Sequence, residues 1–277
     1  THPVAVRAYP FKSLAGQVIG FVSRDGNGLE GLELAMHHRL TAEAGRMAFM
    51  RDRSRKPLWV EPAQYQPPRD GESVRLSIDV TMQSIAERHL REAVESFNAK
   101  AGQVVVMDPK TGEILAMANY PFFDPSARRP KGAQPERRNR AVTDVFEPGS
   151  IFKPIVWAVL TELGAAEPTE IIDTTEAGHY RFDFGRTLRD AHAKGSIDWN
   201  TVLIKSSNIG MAKVAMRISD EQLRTAVRRF GFGQPTGCGL PGEVGGLVTS
   251  GKNWTKYSQT SVPMGQEIGV TAIQMVR

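Results

Sequence analysis

Phe146-Glu-Pro-Gly-Ser-Ile-Phe-Lys-Pro154 sets a hydroxyl and an amine three residues apart, Ser150 and Lys153, at the start of an apolar run. On a helix, positions i and i+3 are neighbours, so the pair shares one face of a first turn. A serine hydroxyl is a poor nucleophile at neutral pH and needs a partner to take its proton. A lysine serves only where desolvation or nearby cations lower its pKa. The helix N-terminus and the apolar Ile151, Phe152, Ile155 and Trp157 supply that setting. Pro154 is tolerated there, where backbone N–H groups lack helical partners. By itself the spacing is weak, because about one Ser-x-x-Lys arises by chance in a chain this long. A serine-capped turn with a solvated lysine fits it equally.

Downstream, Lys205-Ser-Ser-Asn-Ile-Gly210 adds Ser206-x-Asn208, a spacing at which a second hydroxyl relays a proton while a side-chain amide holds a substrate carbonyl. In a loop the same residues also serve as turn or cap. Ser219 with Gln222 forms a capping box for a helix whose Leu223, Ala226, Val227 and Phe230 make one stripe and which Gly231 ends. Upstream, Val104-Val-Val-Met107 and Ile114-Leu-Ala-Met117 flank the turn Asp108-Pro-Lys-Thr-Gly112, a β-hairpin with glycine supplying the positive φ. Before it, Asp79 caps a helix over roughly residues 80–99, with Met82, Ile85, Ala86, Ala93, Val94 and Phe97 at helical spacing. Helices around a hairpin make the class α+β.

Residues 1–73 differ in texture, with one modest helical pattern (Leu29, Leu32, Met36, Leu40) that Gly45 stops. The run Glu61-Pro-Ala-Gln-Tyr-Gln-Pro-Pro-Arg69 marks a boundary or linker. Two domains are therefore expected, 1–73 and 74–277. The chain has 277 residues, 40% apolar and 23% charged, which excludes disordered and fibrous classes. Its net charge of +5 concentrates partly in Arg128, Arg129, Lys131, Arg137, Arg138 and Arg140. No aromatics are interleaved there for base stacking, so nucleic acid is not expected as a partner. One cysteine, Cys238, excludes an intrachain disulfide and a multi-cysteine zinc site. No apolar run reaches the 18 residues of a membrane span, and no signal peptide is visible at Thr1.

These motifs together resemble a family. Phe146-Glu-Pro-Gly-Ser-Ile-Phe-Lys-Pro154, preceded by Arg138-Asn-Arg-Ala-Val-Thr-Asp-Val145, is similar to the nucleophile region of division-specific class B penicillin-binding proteins. Ser206-Ser-Asn-Ile-Gly210 resembles their second motif, and Gly265-Gln-Glu-Ile-Gly-Val-Thr271 their GQG…VT stretch. Upstream, Leu76-Ser-Ile-Asp79 with Gln83, the hairpin Asp108-Pro-Lys-Thr-Gly-Glu-Ile-Leu-Ala-Met117, and Gly28-Leu-Glu-Gly-Leu-Glu33 with Arg51-Asp52 also match. The likeness runs nearly end to end.

The resemblance implies a penicillin-binding, β-lactamase-like fold, an antiparallel sheet with helices on both faces, at 74–277, and part of a pedestal domain at 1–73. It implies a peptidoglycan D,D-transpeptidase working through a serine acyl-enzyme during cell division. Ser150 is then the nucleophile, Lys153 the acylation base, Ser206 the proton relay and Asn208 the amide-positioning group. Ser150, Ser206 and Asn208 would contact substrate, and no metal or organic cofactor is implied. Implied partners are stem peptides ending in D-Ala-D-Ala, β-lactams as covalent inhibitors, a membrane glycan polymerase and other divisome proteins. The implied location is the cytoplasmic membrane, through a single N-terminal anchor missing from this chain, with the catalytic domain outside. Thr143-Asp-Val-Phe-Glu147 leans toward a septal role.

One departure stands out. The family's third motif, Lys-Thr-Gly, follows its GQ…VT stretch on a central strand and supplies a cation and one oxyanion-hole N–H. Residues 110–112 spell it, but precede the nucleophile and read as turn chemistry. Ser96-Phe-Asn98 likewise mimics the second motif at a helix end, and Thr249-Ser-Gly-Lys252 lies too early. The expectation is a sequence truncated before that strand and inactive alone. A D,D-carboxypeptidase or serine β-lactamase shares the Ser-x-x-Lys machinery, and a non-catalytic divisome scaffold is a third reading.

Overall fold

The computed structural model describes residues 7–47, 49–54, 56–60, 65–127 and 135–277. It divides into two units. One extends through Ala141 and takes in Gly239–Gly242, and the other comprises Val142–Cys238 and Glu243–Arg277.

The first unit opens with three short helices, α1 (Gly16–Ile19), α2 (Gly31–Ala35) and α3 (His37–Leu40), and a two-stranded ladder of β1 (Phe49–Arg51) with β2 (Pro57–Val60). The pattern from Leu29 to Leu40 is thus two helices broken at Met36, and it stops at Thr41 rather than Gly45. The stop has a local cause, the Thr41 hydroxyl donating to the carbonyl of His37 at 2.7 Å. At the start of α2, Gly31, with φ near +58°, lies where a Cβ would meet the backbone N of Gly20 at 2.6 Å. Within the proline-rich run, Gln66 and Arg69 exchange backbone hydrogen bonds with Arg46 and Glu43. Residues 61–64 lie outside those described, as do Arg128, Arg129 and Lys131 of the basic cluster. Arg137 pairs with Glu30 at 3.3 Å and sits over the Phe21 ring.

Asp79 accepts from the N–H of Met82 at 2.8 Å and starts α4 (Val80–Ser96). The helix packs on a hairpin of β3 (Gly102–Met107) and β4 (Ile114–Tyr120), with Ala86, Leu90, Val94, Ala116 and Ala118 as the core between them. Its buried face differs from the apolar pattern, since Met82, Ile85 and Phe97 are exposed whereas Gln83 and Glu87 are buried. The reason is polar. Gln83 pairs with both backbone groups of Met117, at 3.0 Å and 2.7 Å, and donates to Glu87, which in turn accepts from the N–H of Ala15. A fully partnered glutamine can replace a leucine on a buried face. The hairpin turn is as expected, with Asp108 accepting from the N–H of Lys110 at 2.7 Å and Gly112 at φ near +74°.

Short α5 (Arg140–Thr143) carries the chain onward. In the second unit, α6 (Lys153–Glu162), α7 (Trp199–Ile204), α8 (Asn208–Ala215) and α9 (Asp220–Arg229) surround an apolar core. Phe152, Val156, Leu160, Trp199, Val202, Met211, Leu223 and Val270 are all inaccessible there. Trp157 and Trp199 stack at 6.1 Å, and the indole N–H of Trp157 donates to the carbonyl of Trp199 at 3.0 Å. β5 (Ile171–Asp173) pairs with β8 (Ser196–Asp198), and β6 (His179–Arg181) with β7 (Thr187–Arg189). β9 (Leu247–Val248) pairs with β10 (Ile268–Gly269), and α10 (Lys256–Ser261) and α11 (Ala272–Val276) complete the elements. The class is α+β, mixed helices with small antiparallel sheets, and every sheet among the described residues is a two-stranded pair. The capping box of α9 forms as expected, Ser219 and Gln222 bonding reciprocally. Phe230 lies beyond the last turn and is exposed, so it leaves the stripe.

Candidate active site

Gly149–Phe152 forms a single 3₁₀ turn, and α6 begins only at Lys153. Residues i and i+3 eclipse in 3₁₀ geometry, so Ser150 and Lys153 are brought closer to register than in the expected α-turn. The N–H of Lys153 donates to the carbonyl of Ser150. Ser150 is exposed, and among the described residues its hydroxyl makes no hydrogen bond. Lys153 is buried, with 1% of its surface accessible.

The nucleophile loop is held from one side by the stretch 265–271. Phe146 and Val270 exchange backbone hydrogen bonds at 2.9 Å, the N–H of Glu267 donates to the Glu147 carboxylate at 2.8 Å, and the N–H of Gly149 donates to Gly265 at 2.9 Å. A Cβ on Gly265 would stand 2.1 Å from the oxygen of Gly149, and its φ is near +74°. Glycine is therefore required at that contact.

From the other side comes the turn between α7 and α8. The amine of Lys153 donates to the Ser206 carbonyl at 2.7 Å, to the Ser206 hydroxyl at 3.0 Å and to Oδ1 of Asn208 at 2.7 Å. Ser206 can present both oxygens because its backbone is left-handed, φ near +53°, a conformation that costs a non-glycine residue about 1–2 kcal/mol. Asn208 is also tied at its other end, Nδ2 donating to the carbonyl of Arg189 at 2.9 Å. Burial pushes the Lys153 amine down from 10.5 to about 8; the charge of Asp190 opposes that shift and the charge of Lys194 adds to it. Such an amine is a base available near neutral pH.

Of the four residues singled out from sequence, the fold brings Lys153, Ser206 and Asn208 into direct contact and sets Ser150 one turn before Lys153. Sequence reasoning passed over Ser207 and Asp190. Ser207 is inaccessible and caps α8, accepting from the N–H of Gly210 at 3.0 Å. The spacing from Ser207 to Gly210 was a visible cap signal. Asp190 gave none, because it reaches the site only through the β6–β7 hairpin. No cluster of metal-ligating side chains occurs among the described residues.

An exposed serine one turn ahead of a desolvated lysine, with a second serine and an asparagine on that lysine, is an arrangement in which an amine can serve a hydroxyl nucleophile as base. Residues 102–277 match the model of the penicillin binding protein transpeptidase domain, and the chain belongs to that family. A probable peptidoglycan D,D-transpeptidase PenA of Neisseria meningitidis is 37% identical over 274 residues, 98% of this chain and 46% of that protein. Peptidoglycan D,D-transpeptidase FtsI of Escherichia coli is 33% identical over 273 residues, 98% of this chain and 45% of that protein. The chain thus spans about half the length of the curated relatives it matches. Among solved structures, penicillin binding protein 3 of Mycobacterium tuberculosis complexed with aztreonam superposes with a TM-score of 0.82 at 33% identity, covering 98% of this chain and 56% of that one. The same protein complexed with ampicillin gives 0.83.

Proposed function

We propose that this chain carries the acylation machinery of a peptidoglycan D,D-transpeptidase. The observation that carries the reading is the Lys153 amine, buried, lowered to about 8 and bonded to both Ser206 and Asn208. In its neutral form Lys153 takes the proton of the Ser150 hydroxyl while Oγ bonds to the penultimate D-Ala carbonyl carbon of a stem peptide. That carbonyl becomes a tetrahedral oxyanion, with the backbone N–H of Ser150 as one donor. Collapse breaks the C–N bond to the terminal D-alanine, whose nitrogen receives the proton through the Ser206 hydroxyl. The acyl group then passes from Ser150 to the amine of a neighbouring strand, which returns a proton to the site. Asn208 positions the lysine through Oδ1, and Nδ2, which spends one hydrogen on the carbonyl of Arg189, has a second for the donor amide.

β-lactams imitate the donor, and the relative solved with aztreonam supports their reaction with Ser150 here. By family membership we assign the whole protein to the outer side of the cytoplasmic membrane, with a glycan polymerase and divisome proteins as partners. No helix among the described residues is long and apolar enough to cross a membrane. We also propose that 1–73 is pedestal and that the transpeptidase domain begins at 74, since α4 packs on the β3–β4 hairpin as one layer.

The test is to incubate the full-length protein carrying this sequence with a fluorescent penicillin and locate the label by mass spectrometry. Label on the peptide containing Ser150, lost in Ser150→Ala, is expected; label elsewhere, or persisting in that variant, refutes the assignment.

A further inference from the structure

Asp190 follows β7 directly, its own N–H tied to the carbonyl of Gly178 at 3.0 Å. Its side chain is only 1% exposed. One carboxylate oxygen accepts from the N–H groups of Asn208 at 2.6 Å and Ile209 at 3.2 Å. The other accepts from the Ser207 hydroxyl at 2.6 Å and from Lys194 at 3.3 Å. A buried carboxylate on the first N–H groups of α8 is favoured by the helix dipole and by charge-assisted bonds. Of the residues it grips, Asn208 itself contacts Lys153, Ser207 lies between the two residues that do, and Ile209 follows them. Lys194, in the loop between β7 and β8, also donates to the carbonyl of His192 at 3.1 Å, and its side chain is 12% exposed. Among the described residues, the charged groups acting on the Lys153 amine are these two, of opposite sign.

We infer that Asp190, paired with Lys194, is the positioning residue of this site: it fixes the 206–208 turn around the Lys153 amine and acts on that amine as a counter-charge which Lys194 offsets. The inference rests on Lys153 being the base proposed above. A purely structural cap and a counter-charge differ in one measurable respect. Loosening a cap lets water in and moves the amine toward its ordinary value whichever partner is lost. Removing charges of opposite sign moves it in opposite directions.

The experiment titrates Lys153 directly by NMR in protein labelled with ¹³Cε-lysine, its resonance assigned by loss in Lys153→Arg. In Asp190→Asn, the amide oxygen still accepts from Asn208 and Ile209, and the midpoint is expected to fall below about 8 by about one pH unit. In Lys194→Met the midpoint is expected to rise by a similar amount. A rise in Asp190→Asn, or a midpoint unmoved or lowered in Lys194→Met, overturns the inference; should the aspartate variant not fold, Lys194→Gln decides, because its amide still donates to Asp190 while carrying no charge: a rise supports the counter-charge and an unmoved midpoint overturns it. Fluorescent penicillin labelling of the unsubstituted protein is run alongside. Absence of label at Ser150 there refutes the proposed function while the two titrations still judge the charge pair.

Discussion

The backbone N–H of Gly149 meets the carbonyl of Gly265 at 2.9 Å, which ties the residue before the candidate nucleophile to a loop more than a hundred positions away. The contact leaves no room for a side chain, since a Cβ on Gly265 would approach the Gly149 oxygen to 2.1 Å. Gly265→Ala is therefore expected to destabilise the fold by about 2–4 kcal/mol, from a backbone clash added to a left-handed φ, and to slow Ser150 acylation by displacing its turn. Urea unfolding and penicillin labelling measure the two. A variant as stable as the parent would mean the loop tolerates the shift.

Acylation is expected to depend on pH through Lys153. Only the neutral amine accepts a proton, and with its value at about 8 roughly a tenth is neutral at pH 7. The second-order rate of Ser150 labelling should climb about tenfold from pH 6 to pH 7 and level off above about 8. The unfolded chain holds that proton up to the ordinary 10.5 while the folded chain releases it at about 8. The unfolded state thus binds more protons between these values, and folding stability rises with pH across that window. Lys153→Met should abolish the acid limb and lower the rate about 10³-fold. A flat profile from pH 6 to 9 in the unsubstituted protein excludes Lys153 as the base.

Ser206 offers a comparison of two substitutions. Both Ser206→Ala and Ser206→Gly remove the hydroxyl and are expected to lower acylation about 10²-fold. They differ in backbone, because φ is near +53°. The glycine variant should be the more stable by about 1 kcal/mol, as read by urea unfolding. The opposite order would show that the turn relaxes out of the left-handed region.

Gln83→Leu follows the apolar logic of the helix stripe and is expected to fail. It strands the N–H and C=O of Met117, both now bonded to the buried glutamine, at a cost of about 2–4 kcal/mol. Thermal unfolding gives the answer, with an unchanged midpoint counting against the pairing.

What could be read from sequence was whatever acts locally. The α4 cap at Asp79, the hairpin turn at Asp108 and the capping box at Ser219 each rest on neighbours in the chain, and all three form. The Ser-x-x-Lys and Ser-x-Asn spacings also placed Lys153, Ser206 and Asn208 as a set, and the fold joins them. Long-range partnership was not legible. Gln83 had no place in the apolar stripe, and the partner that buries it, Met117, lies 34 positions away, so the buried face of α4 was misread. Asp190 looked like any acidic residue in a polar loop, since its value lies in atoms contributed 17 to 19 positions later. Helix starts also shifted, because the 3₁₀ turn at Gly149–Phe152 precedes α6.

Lys153 makes its contacts with two oxygens that can only accept, the Ser206 carbonyl and Oδ1 of Asn208, and one that can also donate, the Ser206 hydroxyl. An ammonium has three hydrogens for the three of them. A neutral amine keeps two, which the acceptor-only oxygens claim, so its lone pair is steered toward Ser206 and the hydroxyl must rotate to meet it. Loss of a proton from the lysine thus reverses the polarity of a single hydrogen bond and leaves the other two in place. The geometry therefore writes a direction into the site: the Ser206 contact is the one that opens when the lone pair turns to the Ser150 proton and the one along which that proton later leaves, and the remaining pair of bonds acts as the fixed bearing on which that exchange turns.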